Sequence, residues 1–159
     1  MTHQVVQPWD RANIVQGALD KLAPSHPQRA ILSKPVDFYL EEFSWIKGQR
    51  IQRKEDYRDA KRTGRGTSDR GTQDDKEPMW AIFSTYLETL SNQDQVDFDD
   101  FALQVLSYLE NESTFAPPFT HIVVDEAQDL TVAQLLVIKQ LVTPETNSLS
   151  IIADAAQRI

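Results

Sequence analysis

The chain has 159 residues, of which 40% are hydrophobic and 25% charged, and it has no cysteine. This is the composition of a soluble globular protein of about one domain's length, and it excludes disulfides, thiolate nucleophiles and cysteine zinc sites. No apolar stretch approaches the roughly 20 residues that cross a bilayer, and the N-terminus lacks a signal-peptide pattern. We therefore expect a cytoplasmic protein.

The net charge of −8 is unevenly distributed. Residues 47–70 contain nine Lys or Arg and four Asp or Glu, so a basic segment lies inside an acidic chain. Such a segment can contact phosphates even when the whole protein is acidic. The alternative is a solvated helix and loop in which Glu55, Asp56 and Asp59 pair with the neighbouring cations.

Apolar residues spaced three and four apart predict helices over most of the first hundred residues. The first helix is expected around residues 14–22 and ends at Pro24. The second is expected from Ser33 to Gly48 with a proline in its first turn, and a short charged helix follows over 54–62. Trp45, Tyr57 and Trp80 are expected to pack in the core rather than to stack on bases.

Residues 63–77 contain three of the five glycines and nothing apolar, which predicts a solvated loop. Helical periodicity returns over residues 80–90 and again over 97–110. Asp97 and Asp100 lie where a helix N-cap and its reciprocal partner belong, so we expect them to cap the helix rather than to form a catalytic cluster.

The pattern changes after Pro117 and Pro118. The runs HIVV and LSIIA predict two short strands, and TVAQLLVIKQLV between them has helical length, so the segment predicts one parallel βαβ unit. Asp125 and Glu126 follow the first strand, and Asp154 follows the second. Ligands of open α/β sheets bind at this carboxyl edge.

The adjacent acids suit two separate tasks in phosphoryl transfer. Magnesium bound to a nucleotide keeps several waters and takes one or two protein carboxylates, which Asp125 could supply. Glu126 could orient and deprotonate a water aimed at the terminal phosphate. The alternative, for this acid pair alone, is an exposed turn after a buried strand.

Two longer strings carry a family resemblance. VDEAQD and ADAAQR, each at the end of a strand of one βαβ unit, resemble motifs II and III of the UvrD/Rep family of superfamily 1 DNA helicases. EEFSWIKGQRI, EDYRDAKRTGRG and DFDDFALQVL are similar to the helical stretch before motif II, so the resemblance spans roughly residues 35–159. It implies an α/β fold: a mostly helical inserted subdomain over 1–116, then an incomplete RecA-like P-loop NTPase core over 117–159.

The resemblance also implies an ATP-dependent DNA helicase with ATP and Mg²⁺ as cofactors. Asp125 would hold magnesium and Glu126 would be the catalytic base. Gln128 and Asp129 would link the nucleotide site to neighbouring motifs. Asp154 matches the motif III aspartate. Gln157 matches the motif III glutamine, which senses the terminal phosphate and couples it to single-stranded DNA.

Parts of the family pattern are absent. Ala153 replaces the usual glycine of motif III, and Ile159 lies one residue before the position of the aromatic on which family members stack a base. The chain has no Gly-Lys pair, so it has no phosphate-binding loop of the form G-x-x-x-x-G-K-S/T. We therefore expect an internal piece of a longer helicase that has negligible ATPase activity when isolated.

Inserted domains of this family contact DNA ahead of the motor, which implies DNA contacts by the basic segment, namely Arg50, Arg53, Lys54, Arg58, Lys61, Arg62 and Arg65. Two other interpretations stay open. The chain could be a non-enzymatic DNA-binding or interaction protein, or a separate polypeptide could supply the phosphate loop and pair with the exposed LSIIA edge.

Overall fold

A computed structural model describes residues 3–25, 30–61 and 72–154. Within them the chain divides into two compact units. The first unit comprises residues 3–46, 51–61 and 72–98, and the second comprises 47–50 and 99–154. Of the helices that these residues form, none is long and apolar enough to span a membrane.

The first unit is built from helices whose positions agree with the apolar periodicity, namely α1 Pro8–Leu22, α2 Val36–Gly48, α3 Lys54–Asp59 and α4 Lys76–Asn92. The last two residues of α2 belong to the second unit. Pro8 opens α1, where its missing N–H leaves no bond unmade. The four predicted helices of this region are therefore confirmed, with changed ends.

The expectation of a loop as far as residue 77 is wrong at its C-terminal end. Asp75 accepts hydrogen bonds of 2.7 Å from both the N–H and the hydroxyl of Thr72, and α4 begins at Lys76. These bonds cap a 3₁₀ turn, Gln73–Asp75, which leads directly into α4, so helical structure begins earlier than apolar periodicity indicates. The rest of that predicted loop, as far as residue 71, lies outside the described residues.

The core of the first unit lies among its helices. Phe43 of α2 packs against Phe83 and Tyr86 of α4 with ring centroids 5.1 and 5.0 Å apart. Tyr57 packs against Trp45 and Trp80, with centroid distances of 6.4 and 5.7 Å. The prediction that Trp45, Tyr57 and Trp80 are packing aromatics is confirmed.

The first unit also holds a small parallel sheet that the sequence did not predict. β1, Gln4–Val5, pairs in parallel with β2, Gln95–Val96. Strands of two residues are too short to show an alternating pattern, so periodicity cannot find them.

Asp97, directly after β2, does not hold the predicted N-cap position. The next helix, α5, is Asp100–Asn111, and the residue before it is Asp99, whose side chain makes no capping bond. Asp97 is completely buried. Its Oδ2 accepts a 2.7 Å hydrogen bond from the Tyr86 hydroxyl and lies 3.5 Å from Arg11 Nη2. It is buried because these two partners compensate the loss of water around its charge.

The second unit contains the predicted βαβ unit, which is confirmed. β3, His121–Val124, and β4, Ser148–Ile151, pair in parallel, with His121 opposite Ser148 and Val124 opposite Ile151. Between them lies α6, Val132–Gln140, which packs on α5. Thr131 and Gln134 form a capping box at the start of α6.

Residues 47–50 join this unit through three contacts. Lys47, only 3% exposed, lies 2.7 Å from Asp100 Oδ1, and Arg50 Nη2 lies 2.6 Å from Glu110 Oε2. Gly48 lies so close to Thr131 that an added Cβ would be 2.8 Å from the Thr131 methyl carbon. Asp100 is thus an ion-pair partner in the first turn of α5, and the position of residue 48 accepts only a glycine without adjustment.

Candidate functional site

The acids that follow β3 and β4 lie at the same edge of the sheet because the two strands are parallel. Asp125 and Glu126 directly follow β3, Asp154 lies three residues past β4, and all three are exposed. Main-chain hydrogen bonds continue beyond the strand ends: Ile152 N–H donates to Val124 O at 2.8 Å, and Ala127 N–H donates to Ile152 O at 2.9 Å. The two acidic segments are therefore joined by backbone hydrogen bonds.

Glu126 has a left-handed backbone, with φ 52° and ψ 36°. Its N–H donates to Asp125 Oδ1 at 2.9 Å, and a short 3₁₀ turn, Ala127–Asp129, follows it. A left-handed residue with a side chain costs of order 1 kcal/mol or more, and the surrounding bonds must offset that cost. The turn gives the two adjacent acids different backbone environments.

Gln128 connects the two acidic segments through its side chain. Its Nε2 donates to Glu126 Oε2, and its Oε1 accepts the backbone N–H of Asp154 at 3.0 Å. Asp129, also predicted at this site, has an exposed side chain, and its N–H donates to Glu126 O at 3.1 Å. The structure thus brings together Glu126, Gln128 and Asp154, while Gln157 lies outside the described residues.

The donor set at this edge fits a nucleotide-bound magnesium rather than a metal held by protein alone. Among the described residues, no three His, Asp or Glu side chains are close enough to hold a metal ion. Magnesium in nucleotide sites takes one or two carboxylates and completes its octahedron with water and phosphate oxygens. The exposed carboxylate of Asp125 has the chemistry that such a ligand requires.

Four of the cations predicted to contact DNA are ion-paired within the chain. Arg53 makes two 2.9 Å hydrogen bonds to Asp56, Arg58 Nε lies 3.0 Å from Asp59, and Lys54 Nζ lies 2.6 Å from Glu77. The fourth, Arg50, pairs with Glu110. Lys61 is exposed, whereas Arg62 and Arg65 lie outside the described residues.

Sequence reasoning anticipated only the local partners. The sequence predicts Glu55, Asp56 and Asp59 as internal partners, and Asp56 and Asp59 pair as predicted. Glu77 and Glu110 lie 23 and 60 positions from Lys54 and Arg50, where spacing gives no signal. The Arg53 guanidinium lowers the pKa of the Asp56 carboxyl, and that carboxylate in turn raises the pKa of Arg53. Exposed pairs of this kind contribute little to stability.

Lys76 holds the C-terminal end of α3. Its Nζ donates to the carbonyl oxygens of Tyr57, Arg58 and Ala60 at 3.1, 2.9 and 2.5 Å, and it lies 5.5 Å from the centre of the Tyr57 ring. Burial lowers the pKa of Lys76. A cation at the end of a helix satisfies its last carbonyls and interacts favourably with its dipole. Helix α3 is thus fixed on α4.

Comparison with known families adds one finding. A sequence model of the UvrD/REP helicase N-terminal domain matches residues 10–159. No match to the chain is found among the curated proteins. The family match covers nearly the whole chain, including both acidic segments. The chain therefore belongs to the UvrD/REP helicase family.

Proposed function

We propose that this chain carries the magnesium-binding and water-activating half of the ATPase site of a DNA helicase. The observation that supports this most directly is the joined pair of acidic strand ends, linked by Gln128. Helicases of this family use ATP, Mg²⁺ and DNA in general. The roles of individual residues, and a RecA-like interpretation of residues 117–159 after a helical subdomain over 1–116, are part of the proposal.

In this proposal the two acids after β3 divide the chemistry. Asp125 is the carboxylate ligand for magnesium, which when bound neutralises charge on the phosphates. Glu126 orients a water in line with the terminal phosphate and accepts its proton, while the bond to the leaving diphosphate oxygen breaks. Gln157, which matches the motif III glutamine, senses the terminal phosphate.

The phosphates themselves need another element. Backbone N–H groups of a glycine-rich loop and its lysine normally hold them, and the 159 residues contain no Gly-Lys pair. Carboxylates alone hold magnesium-ATP poorly, because phosphate oxygens supply much of the coordination. The isolated chain therefore has negligible ATPase activity in our proposal.

The magnesium role can be tested with Mn²⁺ as a paramagnetic probe in NMR spectra, with ATP present and the chain joined to a segment that carries G-x-x-x-x-G-K-S/T. Mn²⁺ should broaden the signals of Asp125 and Glu126 at lower concentration than signals elsewhere, and Asp125→Asn should abolish that preference. The control is Glu145→Gln, which removes an exposed carboxylate from the turn before β4. Mn²⁺ that broadens the acidic residues without preference contradicts the assignment.

The base role needs the phosphate loop. When the chain is joined to a segment that carries G-x-x-x-x-G-K-S/T, Glu126→Gln should lower the DNA-stimulated ATPase rate by about 10²–10⁴, the usual contribution of a general base. An unchanged rate in that variant removes Glu126 from the mechanism.

A second candidate function is DNA binding without catalysis by the exposed cations of α3. It is favoured by the pairs Arg58 with Asp59 and Arg53 with Asp56, which are open to exchange with phosphates. Binding that survives Asp125→Asn, together with no ATPase after a phosphate loop is supplied, would favour this alternative.

A further inference from the structure

Helix α5 packs against α6 on one side and exposes apolar residues on the other. Phe101, Val105 and Tyr108 are 38, 44 and 59% exposed, and their spacing of four and three residues places them on one face. Leu106, which is 1% exposed, lies on the buried side of the same helix. The three exposed residues form a stripe about 10 Å long, or two turns of helix. Contiguous apolar residues of this kind mark interaction surfaces, whereas single ones do not.

The surroundings of this α5 stripe are acidic. Residues 99–154 contain nine Asp or Glu, no Arg and a single Lys, Lys139. The other described cations of this unit, Lys47 and Arg50, already pair with carboxylates of α5. Residues 99–154 therefore produce a negative field, which attracts cationic partners and repels phosphates.

The C-terminal end of α5 provides a specific position for a cation. The N–H of Glu112 donates to the Tyr108 carbonyl oxygen at 2.9 Å, so Glu112 lies one turn beyond Tyr108 on the same face. Hydrogen bonds from the hydroxyl and the N–H of Thr114 lower the pKa of Glu112, which keeps this carboxylate ionised. The last turn of α5 contains no basic residue to balance the negative end of the helix dipole.

We propose that the α5 stripe is a docking surface for a basic amphipathic helix of a partner protein. The apolar side of the partner helix packs on Val105 and Tyr108, since apolar residues repeat at three and four positions on both helices. A Lys or Arg of the partner lies beside Glu112 and over the face of the Tyr108 ring.

Charge decides between this occupant and two others. A twofold contact between two copies of the chain places the same surface on both sides, so it would bring the acidic surroundings of the stripe together. Nucleic acid would meet the same repulsion through its phosphates. A helix that carries Lys or Arg beside its apolar face is complementary in both respects.

Two synthetic peptides and the full 159-residue chain test the proposal. Both peptides have about 14 residues and carry Leu at helical spacing on one face, with Lys and Ala elsewhere in the first and Glu and Ala elsewhere in the second. In fluorescence anisotropy the chain should bind the Lys peptide at least about tenfold more tightly than the Glu peptide, and high salt should reduce the difference. Equal affinities, or no binding of the Lys peptide, overturn the proposal.

A double variant, Val105→Gln with Tyr108→Gln, separates docking on the stripe from unspecific attraction. Both positions are exposed, and glutamine is a good helix former. The double variant should weaken binding of the Lys peptide by about tenfold or more, because a few anchor residues supply most of the binding energy of an interface. The matched control is Val132→Gln on α6, where Val132 is 39% exposed. An unchanged affinity in the double variant, or an equal loss in the control, overturns the docking site.

Glu112→Gln tests the position of the cation. The substitution removes the charge but keeps an acceptor for Thr114, and it should weaken binding of the Lys peptide by about threefold. Glu145→Gln removes another exposed carboxylate and should leave the affinity unchanged. Equal affinities of these two variants contradict a cation beside Glu112.

The parent protein gives two results that require no substitution. The Lys peptide should shift the NMR signals of residues 101–112 more than those of β3 and β4, and the reverse pattern overturns the proposal. Sedimentation equilibrium of the chain alone should give the mass of a monomer. A dimer that the double variant dissociates would assign the stripe to a second copy and overturn the partner helix.

Discussion

The Tyr86 hydroxyl donates a 2.7 Å hydrogen bond to Asp97 Oδ2, and both side chains are completely buried. Arg11 Nε donates to the same Tyr86 oxygen at 3.1 Å, and its Nη2 lies 3.5 Å from Asp97. The three residues join α1, α4 and the end of β2. A buried carboxylate needs such partners, because losing one leaves the charge undercompensated in the interior.

Tyr86→Phe should therefore lower the free energy of unfolding at neutral pH. We expect a loss of about 1–3 kcal/mol, because the substitution leaves Asp97 without one buried donor. Urea denaturation followed by circular dichroism measures it. Tyr108→Phe is the control on an exposed tyrosine and should change stability by less than about 0.5 kcal/mol. Equal stabilities of the two variants contradict the assigned role of Tyr86.

The same contact makes the stability of the folded protein decrease at alkaline pH. Burial, followed by the Asp97 carboxylate, raises the pKa of Tyr86 above its usual value of 10.0. The folded protein then holds this proton more tightly than the unfolded chain, so the stabilisation is present below pH 10 and is lost as the pH rises above it.

As the pH rises from about 9.5 to about 11, the free energy of unfolding should decrease less in Tyr86→Phe than in the parent protein. Tyr39, whose pKa is raised by burial, should retain part of the dependence. Parallel stability curves for the parent and the variant over this range would contradict the shift.

Gly17→Ala should stabilise the first unit. Gly17 lies inside α1, and a Cβ added there meets no atom within 4 Å. Alanine restricts the unfolded chain and favours the helix, so the gain should be about 0.5–1 kcal/mol. Thermal unfolding measures this as a midpoint rise of about 1–4 °C for a chain of this size. A lower midpoint would show that the added methyl is not accommodated.

Gly48→Ala should have the opposite effect, because the added Cβ would lie 2.8 Å from Thr131 Cγ2. Overpacking of this kind costs about 1–3 kcal/mol. Thr131→Ser removes the clashing methyl and keeps the oxygen that accepts Gln134 N–H. The double variant should therefore recover part of the loss in denaturant unfolding, because Thr131 Cβ would still lie 3.0 Å from the added atom. A double variant no more stable than Gly48→Ala would place the cost elsewhere.

DNA binding by α3 should depend on salt and on named cations. Neutralising Arg58 and Lys61 to Gln should weaken single-stranded DNA binding and reduce the slope of log affinity against log salt by about 0.7 for each lost phosphate contact. Asp59→Asn should strengthen binding, because it frees Arg58. Fluorescence anisotropy with Lys139→Gln as control tests both directions, and an unchanged slope in the double variant excludes Arg58 and Lys61 as phosphate contacts.

The sequence predicted those parts of the fold that depend on short-range patterns. Apolar spacing located the helices, and the β-branched runs located β3 and β4. Sequence patterns failed where distant residues decide the structure. The buried position of the Asp97 side chain depends on its contacts with Tyr86 and Arg11. The two-residue strands β1 and β2 form by pairing with each other, which no local pattern indicates. The start of α4 at Lys76 was missed for a local reason, the Thr72–Asp75 hydrogen bonds.

The candidate site could be located from sequence because a parallel βαβ unit places both acidic ends at one edge. The hydrogen bonds within the site could not be predicted from the sequence. Nothing in the string DEAQD specifies a left-handed Glu126, and the bond from Asp154 to Gln128 spans 26 positions. Likewise, the pairing of Arg50 with Glu110 depends on the packing of residues 47–50, which composition does not encode.

Glu126 occupies a backbone conformation that glycine or asparagine adopts at lower cost. Replacing it by glycine would remove the proposed base and also release strain of about 1 kcal/mol. That gain is offset by the greater freedom of glycine in the unfolded chain and by the loss of the Gln128 hydrogen bond. Thermal resistance alone therefore exerts little selection for the glutamate in a library of this chain, and consequently any stability screen at this position has to be combined with a selection for function.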